Sequence, residues 1–307
     1  YKVSERFYNP LEIIMRYFKG VFAQRDALHL NISMRNYQKL NHRVHLARNR
    51  NMINRADKDV LVNAKLTYGG NDYNSKVRLK GLYLDHLIDK RWSFRIQLKD
   101  KKTILGMNRF SIHNPSTRNY MNEWLYHKLL NYNGLFSLYY NFADLYINGE
   151  YIGIYAIEEF PHLNIIEKNK RRDGILIKGK DFIFQRNKVN KSAFHSKTLA
   201  LYKSVYSKYK NNKIKIENFY DVEKLAKYMA ITQLFSGDHG NNNDNFISYF
   251  NPITSKVEVI GYDSNAGSFL TDVGLQIEPR ATYYFKDVQG SDLKKIYSDE
   301  IFFKKYL

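Results

Sequence analysis

The order of apolar and polar positions predicts two helices and a strand at the start of the chain. Apolar residues recur at helical spacing over 5–24, which predicts an amphipathic helix that braces the domain. A membrane-surface role is the alternative for this helix. Residues 28–32 alternate as in a strand, and a helix with solvent-facing basic residues is expected near 34–50.

The following segment is predicted to form an antiparallel, twisted sheet. Residues 60–68, 76–81 and 92–99 alternate between apolar and polar side chains, and residues 69–72 contain the glycines of a turn. A second hairpin is indicated by Asn148-Gly149 between two further alternating runs, because Asn-Gly adopts the backbone angles of a two-residue turn.

Helical patterns follow each of these strand regions. A helix is predicted over 117–131, capped by Ser116 or Thr117. One stripe of this helix carries Met121, Trp124, Leu125 and Lys128. After Pro161 the chain becomes richer in helix, and a long helix over 216–235 is expected to lead into a Gly-Asp-His-Gly loop.

The composition is typical of a packed globular protein. Of the 307 residues, 44% are hydrophobic and 15% aromatic, which argues against disorder. No apolar run is long enough for a membrane span, and no signal peptide is recognised, so Tyr1 is interpreted as a mature or trimmed end. Cysteine is absent, which excludes disulfides, thiolate metal sites and cysteine nucleophiles.

The chain is strongly basic, with 49 Lys and Arg against 30 Asp and Glu. Such a charge attracts acidic substrates, anionic surfaces or polyanions. Only 168–172 and 208–215 are dense in positive charge, and the tyrosines are scattered, which indicates solvated faces and packing rather than a base-stacking surface. No nucleic-acid partner is therefore expected.

Two polar segments have the spacing of a phosphotransfer site. Asp238 lies five positions before Asn243, and Asp263 follows an apolar strand and precedes a glycine turn, with a hairpin between the two segments. In kinase-like sites one Asp faces the acceptor hydroxyl, an Asn helps to hold Mg²⁺, and a later Asp bridges Mg²⁺ to the phosphates. Asn245 and Asp244 compete with Asn243 for the metal, and a simple Asn-rich turn is the alternative.

Cations for the phosphates are sought on the predicted strands. Arg78 and Lys80 share one strand face, as do Arg95 and Lys99 on the next strand, and Lys80 and Arg95 are favoured. The alternative for each is a solvated sheet face. Glu123 is a candidate partner for that cation, against an exposed helix carboxylate. Lys178, at the end of an apolar strand, is a further candidate for phosphate contact.

Histidines provide no recognisable metal site in the sequence. His42 and His45 lie three residues apart without nearby carboxylates and are interpreted as surface residues. His239 beside Asp238 is expected to shape the loop rather than to act as a base. No nucleophile-elbow, Walker or zinc-protease motif is present.

Four stretches resemble the CotH kinase family, the spore-coat-type atypical protein kinases. In order and spacing they cover roughly residues 28–270, and the second is the most specific. They are residues 77–81 with 93–99, residues 146–159, residues 173–178, and the Asp238 loop with the hairpin that ends at Asp263.

This resemblance implies an α+β, atypical protein-kinase-like bilobal fold. It gives an antiparallel-sheet N-lobe with one helix at 28–160 and a mostly helical C-lobe at 161–307, after the helical brace that the apolar periodicity predicts at 1–27. Because the chain stops at Leu307 in a predicted helix, further C-lobe helices are expected beyond it. The implied activity is Mg²⁺- and ATP-dependent phosphorylation of a hydroxyl, on Ser or Thr of a protein. Glycans and small molecules remain alternative acceptors, and the implied setting is extracytoplasmic, envelope or spore-surface.

The resemblance also assigns roles to individual residues. Asp238 corresponds to the catalytic Asp and Asp263 to the Mg²⁺-binding Asp, with Asn243 or Asn245 as the accessory ligand. Glu158 and Glu159 follow the strand that leads to the nucleotide hinge.

Two departures from the family pattern separate the rival interpretations. Bulky residues 82–87 follow Gly81 where the family has a small polar loop, and residues 262–265 read Tyr-Asp-Ser-Asn in place of Trp-Asp-x-Asp. These departures favour a nucleotide-binding pseudokinase or structural surface protein as the first rival. A polyanion-binding module is the second rival, because of the net charge of +19.

Overall fold

The computed structural model describes residues 10–22, 25–178, 181–182, 193–235, 237–241, 245–264 and 295–307. For Asp181, Phe182 and Asp238 this description covers the backbone alone. The first element is helix α1 (Pro10–Val21), which has no buried residue. The chain then enters a β-barrel at Ala27.

A closed barrel forms the first half of the chain. The strands in this part of the chain are β1 (Ala27–Asn31), β2 (Val62–Tyr68), β3 (Asn71–Leu79), β4 (Leu87–Ile88), β5 (Arg91–Trp92), β6 (Phe94–Leu98), β7 (Arg109–His113), β8 (Tyr140–Ile147) and β9 (Glu150–Glu159). The barrel order is β1-β2-β3-β6-β7-β9-β8, while β4 and β5 form a separate pair. Strand β1 closes the barrel because it pairs antiparallel with β2 and parallel with β8.

The barrel interior is the largest apolar core. Because successive side chains of a strand point to opposite faces, every second residue enters this core. Fully buried members include Leu30, Leu66, Val77, Phe94, Ile96, Phe110, Ile112 and Leu145. Helices α2 (Met34–Asn49) and α3 (Arg55–Lys58) follow β1, and Leu40, Val44 and Ala47 of α2 join the same core.

A second unit of sheet and helices follows the barrel. It comprises α4 (Asn122–Tyr132), α5 (Asn164–Lys168), β10 (Ile175–Lys178), β11 (Asp181–Phe182), α6 (Ala193–Lys210), α7 (Val222–Leu234), β12 (Ile247–Asn251), β13 (Lys256–Ile260) and α8 (Glu300–Tyr306). The sheet order is β11-β10-β12-β13. Apolar residues of α4, α7, α8 and this sheet pack into one aromatic-rich cluster.

The predicted bilobal, kinase-like fold is wrong. The N-terminal strands do not form an open antiparallel sheet, since β1 pairs on both sides and joins β8 in parallel. The second half is not mostly helical either, because β10, β12 and β13 form a buried sheet there. Local patterns identified most of these strands, but barrel closure depends on the distant β1–β8 pair.

One local prediction is confirmed and two are corrected. The turn at Asn148-Gly149 has φ values of 50° and 85°, as a two-residue hairpin requires. The helix predicted over 216–235 is instead a 3₁₀ turn followed by α7.

The helix predicted at 117–131 begins later and buries a different face. Ser116 and Thr117 lie in a 3₁₀ turn (Pro115–Arg118), and α4 starts after Met121 without a side-chain cap. Met121 and Leu125 of the predicted stripe are exposed. The buried side of α4 includes the polar Glu123 and His127, because both find partners in distant segments.

Candidate active site

A row of polar side chains crosses the outer side of the barrel. The strand registers place Arg78 beside Arg95, Arg95 beside Ser111, Ser111 beside Glu158, and Glu158 beside Tyr140. Only 7% of Arg95 and 1% of Glu158 are exposed. Polar groups buried to this extent are costly unless they are paired, so the row is either a network or a binding surface.

Lys80 and Glu158 form a buried ion pair at this row. The Lys80 Nζ atom contacts Glu158 Oε2 and lies 3.1 Å from His113 Nδ1. His113 Nε2 lies 3.0 Å from the Tyr140 hydroxyl. Burial lowers the pKa of Lys80, while the charge of Glu158 opposes this shift.

His113 is neutral and oriented within this network. Burial, reinforced by the charge of Lys80, holds the pKa of His113 well below its ordinary value. Because an ammonium group can only donate, Nδ1 accepts from Lys80 and Nε2 carries the proton toward Tyr140. The histidine therefore fixes the ammonium position without adding a charge.

Arg118 and Asp263 form a second buried pair. The Arg118 guanidinium contacts Asp263 Oδ1, and His239 Nε2 lies 3.6 Å from Asp263 Oδ2. Burial would raise the pKa of Asp263, but Arg118 and His239 outweigh it and hold that pKa far below the ordinary value. Asp263 has φ of 51°, a left-handed conformation that is uncommon for a residue with a side chain.

Glu123 anchors the segment that carries Asp263. The Ser264 backbone N–H donates to Glu123 Oε1 at 3.1 Å, and the Ser264 hydroxyl donates to Oε2 at 2.7 Å. Burial would raise the pKa of Glu123, but His127, 3.5 Å away, and Arg118 leave it below the ordinary value. Glu123 thus pairs with Ser264 and His127, while Lys80 takes Glu158 as its partner.

The Asp238 loop packs directly against the same segment. A Cβ atom at Gly237 would lie 3.2 Å from Ser264 Cβ, and one at Gly240 would lie 3.0 Å from the Tyr262 carbonyl oxygen. Glycine is needed here because the two backbones approach closely. The 3₁₀ turn of Asp238–Asn241 is therefore held beside Asp263.

The candidate ligands of this loop are described to different extents. The Asn245 amide donates to the His239 carbonyl at 3.3 Å. Asn243 and the side chain of Asp238 lie outside the described residues. Among the side chains that are described, no group of three or more His, Asp or Glu is arranged to hold a metal ion.

The family comparison covers all of these elements. The family model described as CotH kinase protein matches residues 77–295, more than two thirds of the chain. The chain belongs to the CotH kinase family. The match begins in β3 just before Lys80 and includes both ion pairs and the Asp238 loop. No curated protein matches the chain.

The CotH assignment confirms the family resemblance inferred from the sequence motifs. It supports a kinase-like protein at the level of the family description.

The bulky loop that departs from the CotH pattern folds against the barrel and the ion pairs. Gly81 has φ of 111°, and a Cβ atom there would lie 2.2 Å from the His86 ring. His86 Nδ1 lies 2.9 Å from the Ser93 hydroxyl. Burial raises the pKa of Asp85, although the charge of Arg118 opposes the shift. The loop therefore adds a carboxyl group near the site.

The remaining cation candidates differ in how they are held. The Arg95 guanidinium lies 4.4 Å from the centre of the Phe160 ring, and its Nε and Nη1 atoms have no hydrogen-bond partner among the described residues. Arg78 Nη1 donates to the Leu79 carbonyl at 3.0 Å. Lys178 lies above the Tyr262 ring at 5.8 Å.

Glu159 lies on the other side of β9 from Glu158. Glu159 Oε2 accepts from the Tyr139 backbone N–H and from Lys168 Nζ, both at 2.8 Å. These contacts tie α5 and the start of β8 to the end of β9. Two adjacent carboxylates that seemed equivalent in the sequence thus have different surroundings.

Sequence reasoning missed several members of the site. Arg118, Asp85 and His113 were not among the candidate residues, although all three lie at or near the two ion pairs. Alternation offered a signal for His113, because it is in phase with Ser111 on β7. Arg118 has no comparable signal, since a 3₁₀ turn positions it.

The side chains present fit a nucleotide phosphate and Mg²⁺. Arg95, whose Nε and Nη1 atoms have no hydrogen-bond partner in the described part of the chain, and the buried Lys80 can meet phosphate oxygens. The ionised Asp263 is an oxygen ligand of the kind Mg²⁺ prefers. Arg118 contacts that carboxylate, so a bound metal would share or replace this contact.

Proposed function

We propose that this CotH family member transfers the γ-phosphate of ATP to a hydroxyl group, on Ser or Thr of a protein, with Mg²⁺. The observation that carries the proposal is the placement of the Lys80–Glu158 and Arg118–Asp263 pairs around one buried polar surface. Structural ion pairs need no such concentration of cations. A polyphosphate does, because it carries several negative charges close together that must be neutralised.

The residues on the barrel side would bind the phosphates. Lys80, Arg95 and Arg78 provide the positive charge, and Glu158 with His113 keeps the Lys80 ammonium in place. Lys178 is a further candidate for a phosphate oxygen. Phosphoryl transfer depends on position and electrostatics more than on covalent help from the protein, so a rigid cation set is the main requirement.

The residues of the second unit would act on the metal and the acceptor. Asp263, held by Ser264 and Glu123, is the proposed Mg²⁺ ligand, with Asn243 or Asn245 as accessory ligand. When bound, Mg²⁺ neutralises phosphate charge and orients the transferred group. Asp238 is proposed to accept the proton of the attacking hydroxyl, as the Asp of kinase catalytic loops does.

One observation favours a second function, nucleotide binding without transfer. The Arg118 guanidinium contacts Asp263 Oδ1 and so competes with a metal for the same oxygen. The amide of Asn265, where the family pattern has a carboxylate, reduces the ligand charge further. On this alternative the cations bind ATP, but the phosphate is not activated.

The deciding experiment is transfer from γ-labelled ATP to the protein itself and to a generic protein acceptor, with and without Mg²⁺. We expect Asp263→Asn and Asp238→Asn to lower transfer at least about 100-fold. Asp72→Asn is the control, because this carboxylate is half exposed and lies at the opposite end of β3 from Arg78. ATP binding with no transfer by the wild type would support the second function, and absence of ATP binding would overturn both.

A further inference from the structure

Helix α1 presents a large apolar surface to solvent. None of its residues is buried, and half of Ile14 and 53% of Phe18 are exposed. Phe22, just after the helix, is 79% exposed. Proteins rarely leave a contiguous apolar surface of this kind uncovered, so it marks an interaction site.

The apolar residues cover more than half of the helix circumference. At 100° per residue they extend in a continuous arc, and the polar strip between its edges is narrow. The polar strip consists of Glu12, Arg16 and Lys19. The apolar arc includes Leu11, Ile13, Ile14, Met15, Tyr17, Phe18 and Val21.

The breadth of this arc and the charge of the chain favour a lipid surface over a second copy of the protein. A single partner helix covers only a narrow seam, whereas the interface of a bilayer covers a broad face. Two copies would each bring a net charge of +19 and repel each other, while anionic headgroups attract that charge. Within α1, Glu12 pairs with Arg16, which leaves Lys19 to add local positive charge.

The helix is suited to lie on a membrane rather than to cross one. Its 12 residues extend about 18 Å, well short of the hydrocarbon thickness of about 30 Å. No helix in the described ranges, α1 included, reaches the length and apolarity of a membrane span. We propose that α1 binds the headgroup region of an anionic membrane, with its apolar arc inserted. This proposal does not depend on the phosphotransferase activity.

Flotation of the full chain with vesicles tests this proposal. We expect binding to vesicles of equal parts phosphatidylcholine and phosphatidylglycerol, and weaker binding to phosphatidylcholine alone. The double variant Ile14→Glu/Phe18→Glu should lose about 100-fold in partitioning, because two inserted apolar side chains become charged. Phe18→Leu should retain binding.

A matched control places the same charges on exposed apolar residues elsewhere. Tyr132 and Ile253 are strongly exposed and lie outside α1, so Tyr132→Glu/Ile253→Glu should bind like the wild type. Equal flotation of the α1 variant and the wild type would overturn the proposal. So would failure of the wild type to bind anionic vesicles, and a dimer that the α1 variant dissociates would then assign the helix to self-association. Thermal unfolding verifies that the variants are folded.

Discussion

The two sides of the barrel wall are equally buried but chemically opposite. Phe94, Ile112 and Ile157 point to the interior, while their neighbours Arg95, Ser111 and Glu158 point outward. Both sets are almost completely removed from water. Burial alone therefore does not select apolar residues on these strands, and the outer side must be retained for another reason.

The interior side chains stabilise the fold, whereas the outer ion pairs contribute little to its stability. Each fully buried large apolar side chain contributes about 1.5–3 kcal/mol. A buried ion pair roughly balances its desolvation against its attraction, and replacement by apolar residues is often neutral or stabilising. The outer pairs are thus poor sources of stability, which supports a binding role for the cations of that side.

The largest predicted effect comes from breaking one outer pair. Glu158→Ala leaves the Lys80 cation buried without its partner and near Arg118 and Arg95, so the free energy of unfolding should fall by about 3–5 kcal/mol. The double variant Lys80→Met/Glu158→Met should recover most of that loss of stability. It should not bind ATP, because the Lys80 ammonium is missing. Urea unfolding and nucleotide titration measure the two properties separately.

The interior provides the matched comparison for that experiment. Ile157→Ala, one residue away on the same strand, should lower the free energy of unfolding by about 2–5 kcal/mol. A second substitution at a charged residue should not restore this loss. The ATP affinity of Ile157→Ala should equal that of the wild type at temperatures where it is folded. If the Lys80–Glu158 double variant bound ATP normally, the functional interpretation of the outer side would be wrong.

An intermediate effect is expected from the pH dependence of the second pair. The pKa of Asp263 is depressed in the folded protein, so its stabilisation is present above the ordinary Asp pKa and is lost as the pH falls. At neutral pH the free energy of unfolding of the wild type should exceed that of Asp263→Asn by about 3 kcal/mol. This difference should narrow below about pH 4. Unfolding curves across this range measure it.

The control is an interior variant, because an apolar substitution has no titrating group. The stability deficit of Ile157→Ala should stay constant over the same pH range. A deficit of Asp263→Asn that also stays constant would show that the Arg118–Asp263 pair does not control the acid sensitivity.

The smallest predicted effect distinguishes the adjacent carboxylates of β9. Glu159→Gln keeps an acceptor for the Tyr139 N–H and weakens only the contact to Lys168, so the free energy of unfolding should fall by about 1 kcal/mol. ATP binding should be unchanged, in contrast to Glu158→Gln. A similar loss of ATP affinity in both variants would contradict the assignment of only Glu158 to the site.

Much of the local structure and one side of the site could be predicted from the sequence. Alternation identified β2, β6, β8 and β9, and Asn148-Gly149 identified the turn between β8 and β9. The position of Asp263 after a buried strand was also evident, as was the family. These features depend on backbone and solvation preferences that act over a few residues.

Other features depend on contacts between segments that are distant in the sequence. The parallel β1–β8 pair closes the barrel, and the Lys80–Glu158 contact joins residues 78 positions apart. Glu158 and Glu159 have the same charge and adjacent positions, yet only one faces the cation cluster. Most strands and helices follow from local preferences that can be read in the sequence. Which charges meet was determined by the fold, because it depends on how distant segments pack.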